Sequence, residues 1–386
     1  MKIKSGVAKA GIKPSGNYDI LVMTFPKSVY SLYLTQNDLA AAPVIYDREI
    51  REKQEKISAF VVNSGNANAA TGEKGLENAR YMAQEVAREL KIPSDEVLVF
   101  STGVIGVQLP MLNVERGIRK AIKNLTDWDL KLSAEAIMTT DSFPKYSEVH
   151  NTLDNISFWV KGIGKGAGMI HPNMATMLAF IFTDVKIKKD LLDQITKEVV
   201  ERTFNSIDVD GCESTNDSVL FVATGEGKIE ITEENKTKFY ETLLEVALDI
   251  AKKIVRDGEG ATKVIEIDVN KAKTEEEAKK VGEAIAMSNL FKTAMFGNDP
   301  NWGRILSAVG QLHYGIDFSK VKLYIGDFLI YDGQPMEFDR DAAVEYLKNN
   351  EEVVIRISLN RGVKNWKYYT SDLTYKYVEI NAEYTT

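Results

Sequence analysis

Lys165-Gly-Ala-Gly-Met-Ile-His-Pro-Asn-Met-Ala175-Thr176-Met-Leu-Ala-Phe-Ile-Phe182 is a glycine-rich loop, a Pro-Asn turn and an unbroken apolar run. The apolar run predicts a strand buried on both faces. Thr176 therefore stands where a mobile loop meets a rigid strand. A hydroxyl there is placed to attack the carbonyl of Ala175 and break the chain, leaving Thr176 as a new N-terminus. The freed α-amine titrates near pKa ~7.7–8.0 and can serve as the base for its own hydroxyl. Spacing alone favours the plainer reading, an ordinary threonine at a strand start. The rest of the chain reverses that preference.

Working outward, Ala59–Asn63 reads as a buried strand that breaks into the polar turn Ser64–Gly72. Leu76, Ala79, Ala83, Val86, Ala87 and Leu90 recur at helical spacing, and Pro93 stops that helix. Strand Val97–Phe100 ends in Ser101-Thr-Gly-Val-Ile-Gly106. A helical region follows near Val114–Leu125, and strand Ile156–Val160 leads into the glycine loop. Beyond Asp184 the pattern predicts helix Lys189–Arg202, strand Val219–Ala223, helix Glu234–Arg256 with a glycine stop, strand Val264–Val269 and helix Glu275–Met287. Strands are predicted at Val321–Ile325, Phe328–Tyr331, Val353–Leu359 and through the Tyr369–Ile380 region. A weak boundary is expected near Val185–Lys189.

Net charge −8 argues against the basic footprint of a nucleic-acid binder but leaves room for a local basic pocket for a small carboxylate substrate. The N-terminal Met1-Lys-Ile-Lys-Ser-Gly6 has no apolar stretch behind it, so no secretory signal is expected, and no run reaches the length of a membrane span. One cysteine, Cys212, rules out an internal disulfide and fits a reducing cytoplasm. The three histidines, His150, His171 and His313, are too scattered for a zinc site or a Ser-His-Asp triad. An α-amine base would fill that gap. Gly162-x-Gly164-x-x-Ala167 with Asp184 is a partial dinucleotide fingerprint, but Pro172-Asn173 and the β-like run stand where its helix must start.

Six stretches occur in order: Asn63-Ser-Gly-Asn-Ala-Asn68, Ser101-Thr-Gly-Val-Ile-Gly106, Lys165-Gly-Ala-Gly-Met169, Ala175-Thr-Met-Leu178, Asp257-Gly-Glu-Gly-Ala-Thr-Lys263 and Phe296-Gly-Asn-Asp-Pro-Asn-Trp-Gly-Arg304. Together they resemble the bifunctional ornithine acetyltransferase (glutamate N-acetyltransferase) family of arginine biosynthesis, along the whole chain. The resemblance implies an α/β sandwich of sheets and helices, of the type shared with self-processing aminopeptidases. It implies cleavage between Ala175 and Thr176 into an α chain, 1–175, and a β chain, 176–386, which stay together, usually as α2β2.

It further implies that Thr176 is the nucleophile, with Thr102 and Gly103 as the oxyanion hole. Substrate-binding roles fall to Thr139, Lys165, Thr176, Glu259, Asn381 and Thr386. Thr140 adjoins Thr139 and competes for its role. The substrates would be N-acetylornithine and glutamate, in a ping-pong cycle with no metal and no cofactor; acetyl-CoA is a possible further substrate. The sequence departs from the family at Ala70 and at Asp208, Cys212 and Glu213, none of which is a proposed catalytic group. Two other readings keep the residues but change the outcome: an amidase or aminopeptidase using water as acceptor, and an uncleaved binding module for acidic amino acids.

Overall fold

The computed structural model describes residues 2–171 and 177–383. The larger sheet runs in the order Val97–Val104, Lys56–Asn66, Ile20–Leu34, Ser218–Ala223, Leu178–Thr183, Ile156–Lys165, Lys145–Leu153, with Lys4–Ala8 added beside Ile20–Leu34. Strand Ile20–Leu34 belongs to both halves of this sheet. Its register against Lys56–Asn66 breaks between Thr24 and Ser28, around Pro26, where a proline cannot donate to the ladder. The two halves pack face to face across that bend. Phe60 stacks on Phe180 at 4.5 Å, and Phe100 lies 4.8 Å from the same ring. Phe25 and Trp128 close on Phe182 from the opposing half.

Helices cover both outer faces. Ala42–Lys53 and Gly72–Leu90 pack on the Val97–Val104 side, Lys189–Arg202 and Lys236–Arg256 on the other. This is the α/β sandwich expected from the resemblance. It also explains the unbroken apolar run. Leu178, Phe180 and Phe182 point into the core between the sheet halves, while Ala179 and Ile181 point into the core beneath the helices. Both faces are buried, so no polar alternation survives.

A second sheet, in the order Ile207–Asp208, Lys364–Ser371, Val264–Ala272, Glu352–Ser358, Lys322–Ile325, Phe328–Asp332, carries a third core under helices Glu275–Ala286 and Trp302–Gly310.

Two expectations need correction. No boundary falls at Val185–Lys189: Val185, Ile187, Leu191 and Leu192 share one core with Phe158 and Ile181. The change of core comes near Val264 instead, whose successors Ile265 and Ile267 enter the third core. The Tyr369–Ile380 region is a strand only to Ser371; Tyr375–Glu383 is a helix. Thr374 makes the switch, its hydroxyl accepting from the backbone N–H groups of Lys376 (3.1 Å) and Tyr377 (3.3 Å), as an N-cap does. The glycine fingerprint is likewise absent: strand Ile156–Lys165 runs on through Gly162 and Gly164, and the Asp184 carboxylate accepts from the Trp159 N–H.

Candidate active site

The open end of the sandwich gathers strand ends from both sheet halves. Strands Lys56–Asn66 and Val97–Val104 run parallel and finish there side by side. Gly103 has φ +134°, and a Cβ on it would lie 2.3 Å from the Gly65 carbonyl carbon, so only glycine fits where the two strand ends meet. From the other half come the end of Ile156–Lys165 and the starts of Leu178–Thr183 and Ser218–Ala223.

A cavity of about 140 Å³ opens between them. Thr102, Gly103, Thr139, Lys165, Glu259 and Asn381 all line it, so every predicted site residue within the described chain meets at one place. Ala175, Thr176 and Thr386 lie outside the described residues. Thr140 lines the cavity as well, so both members of the Thr139/Thr140 pair are present.

Lys165 is 3 % exposed, and its Nζ donates to Thr102 Oγ1 at 3.0 Å. Burial lowers its pKa, opposed by the neighbouring Asp141 carboxylate. Asp141 is buried too, yet the charges of Lys165 and Lys145 overcome burial and hold it at about 2. It accepts from the N–H groups of Thr139 (2.9 Å) and Gly166 (2.8 Å), tying two cavity-lining segments together. Lys145, fully buried, bridges Asp141 (2.6 Å) and Asp257 (2.5 Å). Asp257 ends helix Lys236–Arg256 and starts the turn that presents Glu259. Glu259 lies over the glycine loop: its N–H donates to the Ala167 carbonyl, and a Cβ on Gly168 would fall 2.5 Å from its Cδ. Asn381 Nδ2 donates to Glu259 Oε2 at 2.9 Å.

Sequence reasoning missed Asp141, Lys145, Asp257 and Asn216. Asn216 lines the cavity and sends its Nδ2 to the carbonyls of Ala67 (2.6 Å) and Ser101 (2.8 Å), clamping the end of the strand that carries Thr102 and Gly103 to the chain leaving its parallel neighbour. The next residue, Asp217, is fully buried. Its Oδ1 accepts from the Met177 N–H at 2.7 Å, and its Oδ2 has no hydrogen-bond partner among the described residues. Burial pushes its carboxyl well above the usual range. Cys212 also lines the cavity, nearer the site than its sequence position suggested. Burial and the charges of Asp210 and Asp208 raise its thiol pKa, the opposite of an activated nucleophile. Among the described residues no group of three or more His, Cys, Asp or Glu could hold a metal ion, and no helix is long and apolar enough to cross a membrane.

Comparison with known proteins assigns the family. The sequence pattern of the ArgJ family matches residues 4–386. The arginine biosynthesis bifunctional protein ArgJ of Aquifex aeolicus is 49% identical over 386 residues, covering 100% of both chains. The protein of the same name from Gloeobacter violaceus is 43% identical, over 99% of this chain and 96% of its own. A crystal structure of the arginine biosynthesis bifunctional protein ArgJ from Bacillus halodurans superposes with TM-score 0.52 at 39% identity, covering 53% of this chain and 98% of that one. With a family match that spans nearly its whole length and relatives of 49% and 43% identity, the chain belongs to the ArgJ family.

Proposed function

We propose that this protein is an acyltransferase of arginine biosynthesis that moves the acetyl group of N2-acetyl-L-ornithine to L-glutamate through an acetyl-Thr176 intermediate. The observation that carries the reading is convergence. Thr102 with Gly103, Thr139, Lys165, Glu259 and Asn381 come from five separate stretches of chain and line one cavity. The chain borders that cavity just before residues 172–176. Lys165, Gly168 and Met169 line it, and the Met177 N–H is held by Asp217, the neighbour of cavity-lining Asn216.

The cycle starts with cleavage between Ala175 and Thr176. The matched Bacillus halodurans chain is about half the length of this one, which supports a family that works as two pieces. Thr176 Oγ then attacks the acetyl carbonyl while its own α-amine takes the hydroxyl proton. The carbonyl electron pair moves onto oxygen, which the Thr102 hydroxyl and the Gly103 N–H receive. When the pair returns, the C–N bond breaks and the ammonium proton goes to the departing ornithine nitrogen. Glutamate repeats the attack in reverse and leaves acetylated. Lys165 is the one cation at the cavity wall among the described residues and suits the α-carboxylate of either substrate. Glu259, oriented by Asn381, suits a substrate amino group. Thr139 and the terminal Thr386 complete the binding set. The cycle itself calls for no metal or cofactor, and acetyl-CoA is a possible second donor for glutamate. The working form is an α2β2 assembly of the two fragments in the cytoplasm.

Intact mass spectrometry of wild type beside Thr176→Ala tests the nucleophile. Two fragments for wild type, the second beginning at Thr176, and one uncut chain for the variant are expected. An uncut wild type removes the α-amine from the mechanism. Ornithine release from N-acetylornithine at the same rate with and without glutamate, yielding acetate, would replace the transferase with an amidase.

A further inference from the structure

The bond between Lys165 and Thr102 joins the two halves of the sandwich at the cavity, one residue from each half. A lysine ammonium carries three hydrogens and no lone pair, so within this pair the threonine oxygen is the acceptor. The hydrogen of the Thr102 hydroxyl is therefore directed away from Lys165. Among the described residues that hydroxyl has no other hydrogen-bond partner. Lys165 is buried, and the nearby Asp141 carboxylate, itself fixed by Lys145, the Gly166 N–H and the Thr139 N–H, favours its charged form.

We propose that Lys165 acts on the reaction through Thr102: its ammonium holds the threonine oxygen so that the hydroxyl hydrogen is presented to the carbonyl oxygen of the acyl donor. Lys165 is thereby a positioning residue of the oxyanion hole, whatever contact it also makes with a substrate carboxylate. This rests on the acetyl-transfer reading above. No proton leaves either side chain. The nucleophile's lone pair forms the new C–O bond, and the carbonyl π pair moves onto oxygen and is met by the Thr102 O–H. That pair re-forms the C=O bond as the C–N bond breaks. An ammonium behind the hydroxyl also polarises it, making it a stronger donor than an isolated threonine.

The experiment is a double-mutant cycle, with release of the free amine as the readout: ornithine from the carboxylate donor, ornithinamide from the carboxamide. Wild type, Lys165→Met, Thr102→Val and the double variant are compared on N-acetylornithine and on its α-carboxamide, which has no carboxylate for Lys165 to bind. The proposal expects Lys165→Met to lower kcat by a similar factor on both donors, roughly 10²-fold, the scale of one oxyanion donor. It expects the double variant to be about as slow as Thr102→Val alone. Lys165→Arg and Thr102→Ser should recover much of the rate. If the Met variant fails to fold, the Arg variant is cycled against Thr102→Val instead. Two results overturn the proposal: a Lys165→Met effect confined to KM of the carboxylate donor, or factors that simply multiply. Release of ornithine by wild type without transfer to glutamate would overturn the transferase reading and leave this cycle intact. A wild type that releases no ornithine overturns both.

Discussion

Lys145→Met removes the charge at the centre of the buried network behind the cavity. The side chain is fully buried and donates to Asp141 at 2.6 Å and to Asp257 at 2.5 Å. Methionine fills nearly the same volume, so the perturbation is one of charge rather than of cavity. Removing one member of a buried ion pair costs about 3–5 kcal/mol, because the remaining charge stays buried without its partner. Two carboxylates are orphaned here, but neither is stripped bare. Asp141 keeps two backbone N–H donors and the nearby Lys165, and Asp257 keeps the N–H and hydroxyl of Ser142. The single-pair range is therefore the appropriate estimate, not twice it. At roughly 2 °C per kcal/mol for a chain of this size, Tm should fall by roughly 5–10 °C. Urea unfolding at pH 7 measures the loss directly, and Lys145→Met with Asp257→Asn should recover about half of it by neutralising one orphan. Because Asp141 holds the backbone at both Thr139 and Gly166, donor KM should also rise. A Lys145→Met protein within ~1 kcal/mol of wild type would refute the reasoning.

The other predictions concern the parts that meet the cavity. Asn216→Ala leaves the buried carbonyls of Ala67 and Ser101 without their shared donor, at ~1–3 kcal/mol each, so stability should drop and kcat should fall more than KM changes; steady-state kinetics with a denaturation curve checks both. Gly168→Ala places a methyl 2.5 Å from Glu259 Cδ, so it should push that carboxylate aside and raise donor KM while leaving fragment formation intact. Asp217 has a folded pKa raised by burial, so its stabilising contribution is complete below pH ~4 and is lost as pH rises through the folded value. Asp217→Asn still accepts from the Met177 N–H but cannot ionise. It should match wild type near pH 4 and exceed it increasingly toward neutrality, read from urea midpoints across pH.

The sequence disclosed what depends on local pattern. The apolar run after Thr176 announced a strand buried on both faces, and ordered motifs marked Thr102, Gly103, Lys165 and Glu259. Contacts across the fold were hidden. Lys145 and Asp141 sit four apart, a spacing that reads as a solvated charge pair, and only the packing of helix Lys236–Arg256 against the sheet brings Asp257 to bury both. Asn216 carries no local signal, because its acceptors lie 149 and 115 residues away. The C-terminal helix was misread as strand because Tyr369–Ile380 is rich in tyrosine, a strand former, while one hydroxyl at Thr374 decides the change.

The order of strands bears on what cleavage at Thr176 would do. Strands Leu178–Thr183 and Ser218–Ala223 follow the cut, yet they pair with each other between Ile20–Leu34 and Ile156–Lys165, which precede it. Each cut fragment would thus supply strands to the interior of one sheet, and the residues on both faces of Leu178–Thr183 are shared between cores built by both pieces. Separation would expose two ladders and both cores together, so a break in the backbone at this point costs the fold little. What it changes is local. Asp217 holds the start of the strand through the Met177 N–H, so that strand start would stay in place after a cut. A cut anywhere within the strands would forfeit ladder bonds. A cut just ahead of Leu178–Thr183 would leave both ladders of that strand, with Ile156–Lys165 and with Ser218–Ala223, unbroken.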